Sequence, residues 1–366
     1  MGPSPSEAPV PRDYWPTVGW RTASPQDHGI DSAALAEVED QVPKAYPQVR
    51  SVLVVRHGYL VYEHYWHGLD QTSGHAVHSV TKSVVGALVG IALAEGKIAS
   101  LGQTVGELLP AQLPADADPG LAGVTVKELL TMTSGLAGDD KSSGGDPRID
   151  EAMLQSSDWV RHILSQRLES EPGTRFAHSN ASAHLLSAIV SDSSGESTFA
   201  FARAKLFNPL GIRTEKALEP RASKQPDPAT VKAYQRASVA WLADPQGYHD
   251  GATFLRLPAR DLAKFGYLYL NGGRWDGTQV IPADYAAAAT SPKGSSPNIS
   301  AGYGWLWWVG TEGGDHTFFA QGRGGQYVYV VPDLDLVTVV TSDPETSGGV
   351  DPKILITRTI IPTVTS

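Results

Sequence analysis

Strand-forming residues gather at the two ends of this chain and helix-forming ones fill its middle, an order that few folds can accommodate. Near the front, "RSVLVVRHGYLVYEHYW" holds two β-branched and aromatic runs around His57-Gly58, which reads as a hairpin. Near the end, "GGQYVYVVPDLDLVTVVTS" repeats that grammar around Pro332-Asp333, preceded by the aromatic strands "GYGWLWWV" and "HTFFAQG". Between them, "VTVKELLTMTSGL", "SSDWVRHILSQRL", "ASAHLLSAIVSDSSG", "STFAFARAKLFNPLGI" and "LPARDLAKFGYLYLNGG" carry helical apolar spacing and end at glycine or proline signals. Further helices are expected in "DSAALAEVEDQVPKAY" and "DPKILITRTII".

The expected class is therefore α/β: an antiparallel sheet flanked by terminal helices, with a mostly helical inserted region. Residues 1–14 read as a disordered Pro/Ser-rich leader, 15–100 and 295–366 as the α/β part, and 101–294 as the helical part. The turn-rich stretches "GDDKSSGGDPRID" and "EPRASKQPDPATVK" are expected to be loops bordering a cleft between the two parts, where a site is best placed.

Composition narrows the partners. A chain of 366 residues can bury a sizeable core, and a formal net charge of -10 with no basic patch excludes nucleic acid. No run is long and apolar enough to span a bilayer. With 0 Cys there is no disulfide framework and no thiolate metal site, so the compartment stays open between cytoplasm and export with the signal already removed. The oligomeric state is not legible.

Within "HSVTKSVVGALVGIALAEGKI", Ser79 and Lys82 stand one helical turn apart at the head of a long apolar run. Residues at i and i+3 share a helix face, so the Lys82 amine can reach the Ser79 hydroxyl, and unpaired N–H groups of the first turn favour developing negative charge. An ordinary serine cap beside a solvated lysine is the plainer alternative.

Together, "VVRHGYLVYEHYWHG", the Ser79 segment, "TVKELLTMTSGL", "PGTRFAHSNASAHLLSAIV", "LFNPLGI", "DLAKFGYLYLNGGRWDG" and "GRGGQYVYVVPDLDLVTVV" resemble the serine β-lactamase and penicillin-binding-protein-like hydrolases. The resemblance is strongest to the class C-like esterase and 6-aminohexanoate-dimer hydrolase branch. It implies an acylated nucleophile at Ser79 with Lys82 removing its proton, and no cofactor. It also implies a small-molecule ester or linear amide as substrate. Where the family usually carries Tyr-x-Asn, this chain has His178-Ser179-Asn180, so His178 stands in for the phenol while Asn180 is kept. Where it usually carries Lys-Thr-Gly or His-x-Gly, this chain has Ala320-Gln321-Gly322 and then Arg323.

Those departures shape the expected chemistry. The missing cation argues against efficient β-lactam turnover, with Arg323 as a replacement if its guanidinium turns inward. Gln321, Gly322 and Arg323 are the expected substrate-binding residues, and the backbone N–H groups of Ser79 and Arg323 the expected oxyanion hole. Two alternatives follow from the same family: a penicillin-recognising or D,D-peptidase-like protein with slow turnover, and a member impaired by His178. Trp305 and Trp307 are expected on one face of their strand and Trp308 on the other. No metal site is expected, since His64/His67 and His75/His78 lack a third ligand and Asp139, Asp140 and Asp146 lack calcium-loop spacing.

Overall fold

The front hairpin forms as its residues dictate. In the computed structural model, which describes residues 12–138, 147–295, 302–346 and 348–365, Val49–Arg56 (β1) pairs antiparallel with Tyr59–Tyr65 (β2). His57 and Gly58 both take positive φ (50° and 84°), the two-residue turn whose twist suits flanking strands. Six strands come from the other end: Gly294–Ser295 (β3), Gly302–Tyr303 (β4), Trp308–Glu312 (β5), Asp315–Gly322 (β6), Gln326–Val331 (β7) and Leu336–Ser342 (β8). β1 pairs with β8, placing Val52 opposite Val340 and Val54 opposite Thr338. The sheet order is thus β2-β1-β8-β7-β6-β5-β4-β3, antiparallel at every step, and the two chain ends make one layer.

The helices that support the site are Ser32–Ala45 (α1), Val80–Ala94 (α2), Pro147–Leu154 (α3), Asn180–Ser194 (α4), Pro228–Arg236 (α5) and Ala259–Leu270 (α6). Asp31 caps α1 by accepting from Ala33 N and Ala34 N, and its stripe Leu35, Val38, Val42 is buried. On that side of the sheet the C-terminal helices also pack. Lys353 lies 4.5 Å over the Phe319 ring, and Tyr327 Oη donates to Asp351 Oδ1 at 2.9 Å. The opposite face is covered by α6, which comes so close that a Cβ on Gly266 would sit 2.7 Å from Val328 Cγ1 and Val337 Cγ1. Covered on both sides, every residue of β7 and β8 is buried.

Four expectations change. The leader is anchored at residues 12–14: the Arg12 guanidinium holds Asp335 through two bonds (2.6 and 2.7 Å), and Tyr14 Oη donates to Gly58 O at 2.7 Å. Residues 1–11 lie outside the described residues. "GYGWLWWV" is not one strand, because the backbone turns at Leu306 (φ 59°) between β4 and β5. Position 304 must be glycine there, since a Cβ would meet Ala289 O at 1.9 Å. Neither turn-rich stretch is all loop: Asp227 caps α5 by accepting from Thr230 N, and residues 147–150 at the end of "GDDKSSGGDPRID" open α3. Helix α6, counted by position with the helical part, packs on the sheet. The stretch from Asp139 to Asp146 lies outside the described residues, and among those described no helix is long and apolar enough to cross a membrane.

Gly266→Ala should cost about 1–3 kcal/mol in urea-induced unfolding, because the overpacked contact with β7 and β8 outweighs the helix propensity that alanine adds. An unchanged or raised midpoint would mean that α6 can lift from the sheet freely.

Candidate active site

The site begins with a helix that cannot shift. From Val80 to Ala92 every residue of α2 is buried, and Gly86 and Gly90 let neighbours approach its backbone. Tyr285 Oη donates to Gly86 O at 2.6 Å, and a Cβ on Gly90 would strike the Tyr285 ring at 2.5 Å. Ser79 stands at the N-cap, and His78 before it holds a positive φ of 46°, an uncommon conformation for a side chain of that size. The Ser79 hydroxyl makes no capping bond. Lys82 Nζ donates to it instead, at 2.8 Å.

Lys82 is only 1% exposed, and its amine reaches acceptors on separate segments of the chain. Besides Ser79 Oγ, it donates to Asn180 Oδ1 at 2.5 Å and to Ala252 O at 3.3 Å. Asn180 opens α4, whose start is fixed by Ser179 Oγ accepting from Ser182 N at 3.3 Å. Ala252 is fixed by the buried Asp250 carboxylate, which accepts from Ala252 N (3.2 Å) and Phe254 N (2.9 Å). One turn along α4 from Asn180, the buried His184 ring lies between Asp244 (Nε2 to Oδ2, 3.3 Å) and Asp250 (Nδ1 to Oδ1, 4.0 Å).

Asp150 of α3 was not anticipated. Its carboxyl is pushed above the ordinary carboxylate range by burial, opposed by a side-chain hydrogen bond from Asn180, with Asp250 raising it and Lys82 lowering it. A carboxylate thus stands beside the Lys82–Asn180 pair. A lone aspartate thirty residues upstream of its partner offers no local pattern that could have revealed it.

His178, 6% exposed, lies with its ring stacked on Trp308 at 6.0 Å and 19°. Of the three tryptophans it is therefore Trp308 that meets the site. Trp307 packs among Phe265, Tyr269 and Phe318, and Trp305 against Tyr285. His78 is driven down to about 4 by burial first and then by the Arg323 and Lys82 charges, so it is neutral at ordinary pH.

The remaining wall is the end of β6. Ala320 is buried, Gln321 half-buried, and Gly322 meets the segment leading into α2: a Cβ there would sit 2.3 Å from Val77 O. The strand can close on Ser79 only with glycine at this point. Arg323 follows, but its guanidinium is exposed and donates to Glu345 Oε1 at 2.8 Å, so the side chain faces solvent and not the substrate side. Among the described residues no three histidine or acidic side chains gather as a metal site, and His64 pairs with Glu39 at 3.3 Å.

The beta-lactamase family model matches residues 33–355. The chain belongs to the beta-lactamase family. Relatives of this beta-lactamase-family protein include penicillin-binding protein 4 of Amycolatopsis lactamdurans, 28% identical over 67% of this chain and 65% of the relative. Esterase EstB of Burkholderia gladioli is 29% identical over 57% of this chain and 60% of its own. The chain thus spans less than two thirds of the length of either curated relative. In three dimensions it is similar to a proposed 6-aminohexanoate-dimer hydrolase from Bacillus anthracis, with a TM-score of 0.72 at 18% identity over 98% of this chain and 88% of the other. That likeness establishes the β-lactamase-like fold.

Gly322→Ala should lower ester turnover by roughly 10²–10³, the loss typical of a displaced oxyanion donor, while far-ultraviolet circular dichroism stays unchanged. Full activity in this variant would show that β6 need not close on the head of α2.

Proposed function

We propose that this protein is a serine hydrolase that cleaves a small carboxyl ester or linear amide through an acyl-serine intermediate. The observation that carries this reading is the 2.8 Å contact between Ser79 Oγ and Lys82 Nζ at the head of a buried helix, with Asn180 on the same amine. Ser79 Oγ attacks the carbonyl carbon while Lys82, as the neutral amine with its lone pair turned to the hydroxyl, receives the hydroxyl proton. The oxyanion is held by the N–H groups of Ser79 and Arg323, helped by the positive end of α2. Collapse expels the alcohol or amine, protonated through Lys82 with His178, and water then attacks the acyl carbon to free Ser79. Asn180 orients Lys82, and Gln321 and Gly322 line the path of the substrate. The names of the relatives, an esterase and a penicillin-binding protein, support acyl transfer as the shared chemistry.

Carboxylate docking of a β-lactam has weaker support. Neither Ala320 nor Gln321 carries charge, and the Arg323 guanidinium is engaged with Glu345. Nitrocefin turnover should therefore be slow beside that of a p-nitrophenyl ester, and Arg323→Ala should change it less than threefold. A stable β-lactam adduct seen by mass spectrometry, with no ester turnover, would instead favour the penicillin-recognising alternative.

A fluorophosphonate probe should label the protein and fail on Ser79→Ala, and Lys82→Ala should lose at least about 10³ in kcat, the scale of a removed base. Equal labelling of parent and Ser79→Ala overturns the assignment. Because His78 is neutral above about pH 5, an acid limb between pH 5 and 8 cannot come from it. If His178 relays the proton, activity falls as its ring protonates, and His178→Ala should lose turnover together with that limb. Full activity with an unchanged pH profile in that variant removes His178 from the mechanism.

A further inference from the structure

A cavity of about 240 Å³ lies beneath α5, roofed by Val231 and Tyr234 and floored by Leu154, Trp159, Leu242 and Phe254. Three of these residues connect it to the catalytic cluster. Leu154 is one turn along α3 from Asp150, which meets Asn180. Phe254 is two residues beyond Ala252, whose carbonyl receives Lys82, and the N–H groups of both meet the Asp250 carboxylate. The Trp159 ring lies 5.4 Å from that of His184, one turn along α4 from Asn180.

The roof is lightly held. No residue of α5 is fully buried, and the helix is tied down at its C-terminal half by Tyr234, whose hydroxyl donates to Phe254 O at 3.0 Å. That bond also occupies the Tyr234 hydroxyl, leaving the interior mainly hydrocarbon. Arg221 is the one lining residue that carries charge, and it is exposed at the rim. A dry hydrocarbon cavity of about 150 Å³ accepts benzene, so 240 Å³ has room for a ring bearing a few methylenes or a chain of about eight carbons.

We propose that this cavity is the acyl-chain subsite of the enzyme, taking the uncharged apolar acyl group of an ester or amide whose carbonyl is presented to Ser79. The assignment rests on the serine-hydrolase reading and adds its substrate class: medium-chain or aryl-alkyl acyl groups in preference to acetyl. Helix α5 forms the wall that sets the permitted length. Cationic acyl groups are disfavoured, since the lining offers no carboxylate and Arg221 stands at the rim.

The test compares p-nitrophenyl acetate, butyrate and octanoate on the parent protein, on Val231→Trp, which fills the cavity from the roof, and on Ala222→Phe, which fills it from the preceding loop. In the parent, kcat/KM for octanoate should exceed that for acetate at least tenfold, and that ratio should collapse to within about threefold in both filled variants. A flat chain-length profile in the parent, or a preference that survives both fillings, overturns the subsite. Octanoate binding by calorimetry to Ser79→Ala, with and without Val231→Trp, reads the cavity without catalysis. Loss of binding of tenfold or more on filling supports the site, and equal or absent binding in both overturns it. If no ester is turned over and Ser79 resists the fluorophosphonate, the hydrolase reading fails by itself, and the calorimetry still decides whether the cavity takes an apolar chain.

Discussion

A lysine amine buried to 1% exposure is the constraint around which this molecule is arranged. An ionisable group in such surroundings is tolerated only where hydrogen-bond acceptors replace water, and removing one partner of a buried charged group commonly costs about 3–5 kcal/mol. The acceptors of Lys82 come from the head of α2, the start of α4 and the segment at Ala252. Satisfying one side chain therefore pins together three parts of the chain that are far apart in sequence. In the proposed reaction the same bonds aim the amine at Ser79, so the stability of this region and its chemistry would rise and fall together.

Support for that arrangement lies one step further out. Asp250 gathers the N–H groups that aim Ala252 O, the His184 ring accepts from Gly251 N on one side and meets Asp244 on the other, and Asp244 in turn accepts from Gln246, Gly247 and Tyr248 N. Together with Asp150, these carboxylates set acidic groups around a basic side chain within a protein whose formal net charge is already -10. On the other side of Ser79 the control is steric, through the missing Cβ of Gly322, and it requires no charge at all.

What could be read directly from the amino-acid order was whatever depends on near neighbours. The spacing of Ser79 and Lys82 translates into a shared helix face, and dense Val, Leu and Tyr runs translate into strands, because both relations hold over a few residues. The family likeness added Asn180 through its motif. Asp150 escaped because its role arises only when α3 is laid beside α4. Trp308 was separated from Trp305 and Trp307 by alternation, but the turn at Leu306 breaks the strand on which that alternation was counted. Arg12 and Tyr14 lie in a Pro/Ser-rich stretch that resembles a leader, yet Arg12 finds Asp335 at the far end of the chain.

The pairing of β1 with β8 also has a bearing on how the chain comes to be made. A ribosome delivers β1 and β2 first, but the neighbour that closes the inner edge of that hairpin, β8, follows every other strand of the sheet. Throughout elongation, the row of unsatisfied N–H and C=O groups along Val49–Arg56, with its run of valines, stays open to pairing with other chains. Helix α2 emerges next with Lys82, whose amine must wait for residues 180 and 252 before it can donate to either. Assembly of this sheet therefore waits for β8, and a nascent chain stalled before residue 336 presents an aggregation-prone edge that the finished sheet conceals.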